Sequence, residues 1–349
     1  MNQIFGPLPA ELLLNVFDQL IQTHGGHRPV PYPHSDIVTK TLRSLTLVSR
    51  GIYPIATKYL YSTHIWLSST RTFSRFCTTL QLNRQRQVLT DDVTVQQKRG
   101  FAQFDLSQYV ASVYISPLET EEIAWDPWDL GRRLPAIVDL CRNLSSTLKR
   151  LHLNLSPIVD FFTYTRRNEL EEIERNMFPL MLCLEELMIS SEVIYSFRLP
   201  PPNLRRLAVA NDDFGELESA FCLSLQSLET LVLFRPLGFS ANMIESLFDS
   251  YRGKSLDIIL FENNFNHGTP QGTRDWTPKD TVRIWEADVP LSFYGDDDPS
   301  ALCHQWMWDQ GTAGTLWSQT QRRMMSWSEI QKRLAGPVHS IMDTPPSQS

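Results

Sequence analysis

Three histidines, His24, His27 and His34, stand close together near the N-terminus, and imidazoles at such short separations can share a metal ion. The segment carrying them, residues 24–36, is rich in proline and glycine, has no helical period and brings no cysteine. It therefore reads as a solvated loop. Asp296-Asp297-Asp298 could attract a divalent cation but lacks the spaced further ligands and the glycine of a calcium loop, so a charged surface turn is the simpler account. Glu169, Glu171, Glu172 and Glu174 fit an exposed helix face better than a catalytic carboxylate pair. The five cysteines, Cys77, Cys141, Cys183, Cys222 and Cys303, are odd in number, widely spread and without a CxxC pair. That excludes a disulfide framework or a structural zinc site and leaves reduced, mostly buried thiols. No GxSxG, P-loop, GxGxxG or HExxH motif occurs. The expectation is a chain that is not an enzyme, with no catalytic residues, no cofactor and no metal.

Charge and hydropathy narrow the class further. The 349 residues carry 39 acidic against 32 basic side chains, a formal charge of −7. The basic residues come in scattered pairs such as Arg132-Arg133, Arg166-Arg167 and Arg205-Arg206, without the concentrated stripe of a nucleic-acid binder. No apolar run approaches the roughly 18 residues that span a bilayer, and the N-terminus lacks the pattern of a secretory leader. A soluble chain of the cytoplasm, the nucleus or both is expected, without membrane or nucleic-acid partners.

The elements begin with a helix over Leu8 to Leu20. Pro9 suits the first turn, Glu11 suits the positive end of the helix dipole, and Leu13, Val16, Phe17 and Leu20 make one apolar face. After the loop, a second helix runs from about Val38 with Val38, Leu42 and Leu45 inward, and a third follows Pro54 with Ile55, Tyr59 and Leu60 inward. Leu12 and Leu14 lie off the first stripe, so these helices are apolar on more than one side and need a second surface to cover them.

These residues resemble a known family. Leu8-Pro9-x-Glu11-Leu12-Leu13-Leu14-x-Val16 with Leu20, then Thr41-Leu42-Arg43-Ser44-Leu45-Thr46-Leu47-Val48-Ser49-Arg50-x-x-Tyr53-x-x-Ala56-x-x-x-Leu60-Tyr61, is similar to an F-box in its divergent fungal form. Tyr53 stands where a tryptophan is often found, and the loop before the second helix is long. An ordinary helical cap on a larger domain would also need leucines at helical spacing. The resemblance implies docking on a Skp-type adaptor through Leu8, Pro9, Glu11, Leu12, Leu13, Val16 and Leu20, with Leu45 and Val48 from the second helix. Some of these must instead hold the helical core, and the residue types alone do not separate the two groups.

Beyond His64-Ile65-Trp66-Leu67, which alternates like a strand, a pattern recurs. It reads Leu148-x-x-Leu151-x-Leu153, Leu184-x-x-Leu187-x-Ile189, Leu204-x-x-Leu207-x-Val209, Leu228-x-x-Leu231-x-Leu233 and Leu256-x-x-Ile259-x-Phe261, with a weaker copy at Val110-x-x-Val113-x-Ile115. Each copy anchors a short strand with one apolar residue and points two more to one side. Helix-like segments lie between them, for instance Leu134, Ile137, Val138, Cys141 and Leu144, and Leu217, Phe221 and Leu225. The later copies fall at the roughly 20–29-residue period of leucine-rich repeats, so the array resembles an irregular repeat solenoid with strands on its concave side. An ordinary α/β sheet whose strands begin with leucine fits the same pattern. The last six of the nine tryptophans, Trp276, Trp285, Trp306, Trp308, Trp317 and Trp327, suit a C-terminal cap or a binding surface.

The expected fold is thus α/β: a three-helix F-box at 1–62, an irregular leucine-rich-repeat solenoid at 63–265, a Trp-rich cap at 266–341 and a disordered tail at 342–349. The function that the resemblance implies is substrate recognition for a cullin–RING ubiquitin ligase of the SCF type. A non-degradative interaction scaffold is the alternative. On a concave face the residues between the last two apolar positions would be exposed, which makes His152, Met188, Ala208 and Val232 the candidate target-binding row, with Trp306 and Trp308 as the other candidate surface.

Overall fold

The computed structural model describes residues 10–21, 29–90, 105–116, 130–155, 177–210, 215–234, 249–262, 279–289, 299–318 and 323–324. The chain forms two compact units, Met1–Leu204 with Trp308–Ser318, and Arg205–Met307 with Gln319–Ser349.

In the first unit, three helices come first: α1 (Ala10–Ile21), α2 (Ile37–Leu45) and α3 (Ile52–Thr63). Phe17, Ile21, Leu42 and Ala56 form their buried centre, and Leu20, Val38, Leu45, Ile52, Ile55, Tyr59 and Leu60 pack around it. The expected helical periodicity therefore closes a core. Phe17 stacks on Tyr59 with ring centroids 5.1 Å apart, and the Tyr59 hydroxyl donates to Asp18 Oδ1 at 2.8 Å, which ties α1 to α3. The chain then continues through β1 (Ile65–Leu67), α4 (Thr70–Thr90), β2 (Ser112–Ile115), α5 (Leu130–Leu144), β3 (Arg150–Leu153), β4 (Glu186–Ser190) and α6 (Ser191–Ser196). The four strands pair in parallel and in chain order. Trp66, Tyr114, His152 and Met188 stand side by side across them.

The second unit holds β5 (Arg206–Ala210), α7 (Glu216–Leu223), β6 (Thr230–Phe234), β7 (Leu256–Glu262) and β8 (Val282–Asp288). These strands are again parallel, with Leu207 beside Leu231, and Val232, Ile259 and Trp285 in one row. A two-residue strand, β9 (Arg323–Met324), closes on β8 in antiparallel. Helix α8 (Pro299–Ala313) contributes its residues up to Met307 to this unit and those from Trp308 to the first. It ends where Gly314 adopts φ 75°. Gly314 N–H bonds to Gly311 C=O and Thr315 N–H to Gln310 C=O, the paired bonds of a glycine-terminated helix. Among the described residues no helix is long and apolar enough to cross a membrane.

The expected strands are present at all six copies of the leucine pattern, and the anchoring residues Leu148, Leu184, Leu204, Leu228 and Leu256 are buried. The leucine-rich-repeat solenoid is nevertheless not what they build. A solenoid would expose every second strand residue on its concave side. Here β2 and β4 are buried at every position, and β3 and β5 at all but the first. Burial on both faces is the mark of an α/β sheet of parallel strands. Among the described residues the connecting helices also differ in length, 21 residues in α4 and 15 in α5. The Trp-rich cap is corrected too, because Trp306 and Trp308 lie against strand residues within their units and do not close the end of an array. Beyond α8 the described residues hold a 3₁₀ turn at Leu316–Ser318 and the two residues of β9.

Candidate functional site

The three-helix segment sorts the residues that the F-box resemblance singled out. Asp36 caps α2 by accepting from the Val38 N–H at 2.6 Å. Ser49 starts α3, its hydroxyl accepting from Ile52 N–H at 3.2 Å and its carbonyl from Tyr53 N–H at 3.0 Å. Between them the chain leaves α2 in two tight turns, Leu47 N–H to Ser44 C=O and Val48 N–H to Leu45 C=O. These turns leave Leu47 87 % and Val48 62 % exposed. On α1, Leu12 and Val16 stand four residues apart on the outward face, 50 % and 58 % exposed, beside an exposed Glu11. Leu20 and Leu45 pack on the core and so hold the fold, and Leu13 is half-buried. Leu8 and Pro9 lie outside the described residues.

The expected target-binding row is a correction. His152, Met188, Ala208 and Val232 are fully buried, and Trp306 and Trp308 nearly so. His152 and Met188 are cross-strand neighbours, but this row faces protein and not solvent. Trp308 meets His152 edge-on at 6.5 Å and Tyr114 at 6.1 Å, and Tyr114 in turn stacks on Trp66 at 4.3 Å. A Cβ placed on Gly311 would overlap Met188 Sδ, so the last turn of α8 presses its backbone onto the row. In the second unit Trp306 packs edge-on against Phe261 at 4.9 Å.

His152 of this row forms one ionisable pair, with Glu186 of the neighbouring strand, that the sequence did not reveal. His152 Nε2 lies 3.5 Å from Glu186 Oε1 with both side chains buried, a separation for charge attraction more than for a firm hydrogen bond. Burial pushes the His152 pKa down, and Glu186 opposes that shift. The usable signal was register: Glu186 stands opposite Arg150 across β3 and β4, where opposite charges pair. Sealed from solvent, the pair has no access to a substrate and suits a structural part.

Among the described residues no group of three or more histidine, cysteine or acidic side chains could hold a metal ion. His24, His27, the Asp296–Asp298 run and Glu169–Glu174 lie outside the described residues, and His34 is half-buried beside α2. Burial pushes the Cys141 thiol up to about 12 and raises that of Cys222, so neither is a nucleophile at neutral pH. Comparison of the chain with protein-family models, with curated proteins and with solved structures finds no match.

Proposed function

We propose that this chain is a non-catalytic subunit of an SCF-type cullin–RING ubiquitin ligase. Its three N-terminal helices dock on the Skp-type adaptor, and the rest of the chain holds a target protein. The observation that carries the reading is the pair of apolar surfaces left outside a closed helical core: Leu12 and Val16 on α1, and Leu47 and Val48 after α2. Apolar side chains at these positions of the F-box-like motif are what an adaptor groove would cover. The contribution to ubiquitin transfer is tethering, which raises the local concentration of target without new chemistry. Such an assembly works in the cytoplasm, the nucleus or both.

Covering a leucine or valine fully is worth about 1.5–3 kcal/mol, and Leu12 and Val16 have roughly half of that still to gain. Leu12→Glu with Val16→Glu should therefore weaken adaptor binding at least tenfold. Both side chains face solvent, so the circular dichroism spectrum should stay that of the parent. Full-length chain that captures neither adaptor nor cullin, or a double variant that binds the adaptor as well as the parent does, overturns the proposal. Adaptor capture without ubiquitin transfer to any bound protein overturns the ligase part and favours the scaffold.

A further inference from the structure

A pocket of about 220 Å³ opens in the first unit, between α2, the end of α3, β1 and the start of α4. Its chemistry is lopsided. Arg43 and Arg75 line it from α2 and α4, together with Tyr61, His64, Trp66 and His34. Among the described residues no carboxylate lines it. Asp36, whose field reaches His64, has its Oδ1 already taken by the Val38 N–H.

Two guanidinium groups and an indole N–H can only donate hydrogen bonds. Neither arginine, nor the Tyr61 hydroxyl, nor the Trp66 indole nitrogen has a side-chain partner among the described residues. The Arg43 charge is felt at both His34 and Tyr61, which places the guanidinium on the pocket side of α2. His64 is buried and its Nε2 has no hydrogen-bond partner, and the same holds for the buried Nδ1 of His34. On the other edge of the His64 ring, Nδ1 lies 2.8 Å from the Thr63 hydroxyl. That hydroxyl already donates to Tyr59 C=O at 3.2 Å, and Nδ1 also lies 3.3 Å from the same carbonyl, so Nδ1 carries the proton and the neutral ring brings no donor to the pocket. The neighbouring threonines add nothing, because Thr39 donates to Pro33 C=O and Thr72 to Ser69 C=O.

Guanidinium donors of two arginines around a cavity with no lining carboxylate call for a guest rich in acceptors. Two arginines favour a dianionic phosphoryl group over a carboxylate, since its oxygens can take both guanidinium forks. The volume lies below the roughly 300–1,000 Å³ of drug-sized sites, so the guest is small. Behind the cations the wall turns apolar, with Tyr61 and Phe76 stacked at 6.3 Å. We propose that this pocket binds a small phosphate monoester, its phosphoryl group between Arg43 and Arg75 and its organic stem against Tyr61 and Phe76. Thus the site joins the helical segment to the first strand and helix that follow it. It does not depend on adaptor docking, because its assay contains no adaptor.

Phenyl phosphate, inorganic phosphate and benzoate, titrated calorimetrically into the full chain, test this. Phenyl phosphate should bind one to one, inorganic phosphate more weakly and benzoate at least tenfold more weakly than phenyl phosphate. Arg43→Gln with Arg75→Gln, both exposed and outside the core, should cost at least tenfold for both phosphates. Tyr61→Leu should remove the advantage of phenyl phosphate and leave inorganic phosphate unchanged. Imidazole resonances assigned to His34 and His64 should move on binding. Absence of phenyl phosphate binding at millimolar concentration, equal binding by the arginine double variant, benzoate binding as tight as phenyl phosphate, or shifts confined to other histidines overturns the proposal.

Discussion

Gly311 offers the sharpest test of where α8 lies. A methyl group there would overlap Met188 Sδ and sit 3.4 Å from His152 Cε1, in a row with no solvent to yield into. Two effects compete in Gly311→Ala. Replacing glycine by alanine inside a helix is worth up to about 1 kcal/mol of stability, less within the last turn. Forcing a methyl into a filled core costs about 1–3 kcal/mol, and Met188, although adaptable, is fully buried and must swing into occupied space. The single variant should therefore be destabilised, by about 1 to 2 kcal/mol. In a Met188→Ala background the obstacle is gone, and Gly311→Ala should then stabilise by about 0.5–1 kcal/mol relative to Met188→Ala alone. Urea unfolding of the four proteins of this cycle reads the coupling, expected at about 1–3 kcal/mol. Additive effects within about 0.5 kcal/mol would mean that the end of α8 does not rest on β4, and the explanation for the buried strand row would fail with it.

Leu207→Ala and Leu231→Ala remove fully buried neighbours on β5 and β6, and each should cost about 2–5 kcal/mol, seen as a lowered Tm in calorimetry. Burial holds the His64 pKa down at about 4, below the ordinary 6.5, so the unfolded chain binds this proton more readily than the fold does. Its contribution is present above pH 6.5, fades as the pH falls toward 4 and amounts to about 3 kcal/mol at most. His64→Phe should flatten the stability profile across that window in urea titrations at successive pH values. Cys183 is exposed while Cys141, Cys222 and Cys303 are buried, so a thiol reagent should modify Cys183 well before those three, as peptide mass mapping would show.

The parts legible in the sequence were those set by a local period. The three helices followed from apolar spacing, and Ser49 proved to start α3 through its own hydroxyl. Each leucine pattern marked a strand because its three apolar positions report burial that holds whatever lies on the other face. What covers that other face is a long-range fact. His152 reads as exposed because a polar residue between apolar ones usually is, and nothing within β3 or β4 announces a helix arriving from residues 308–313. The tryptophans misled for the same reason: Trp306 and Trp308 advertise a large apolar contact, but their partners, Phe261, Tyr114 and His152, are remote in sequence. In the helical segment, the alternatives the motif left open were separated by tertiary packing, with Leu20 and Leu45 turned inward and Leu12, Val16 and Val48 outward.

The backbone bond from Val30 N–H to Thr312 C=O, at 2.7 Å, has a consequence for how the molecule is born. The first unit needs Trp308–Ser318 to be complete, although everything else in it has left the ribosome once Leu204 has. At about 5–20 residues per second, the intervening stretch takes on the order of ten seconds to translate. During that interval Tyr114, His152 and Met188 lack the helix turn that seals them, and the nascent chain presents an apolar strip. Translation speed between residues 205 and 307, and the chaperones that meet the chain there, thus bear on the yield of folded protein more than for a domain finished in order.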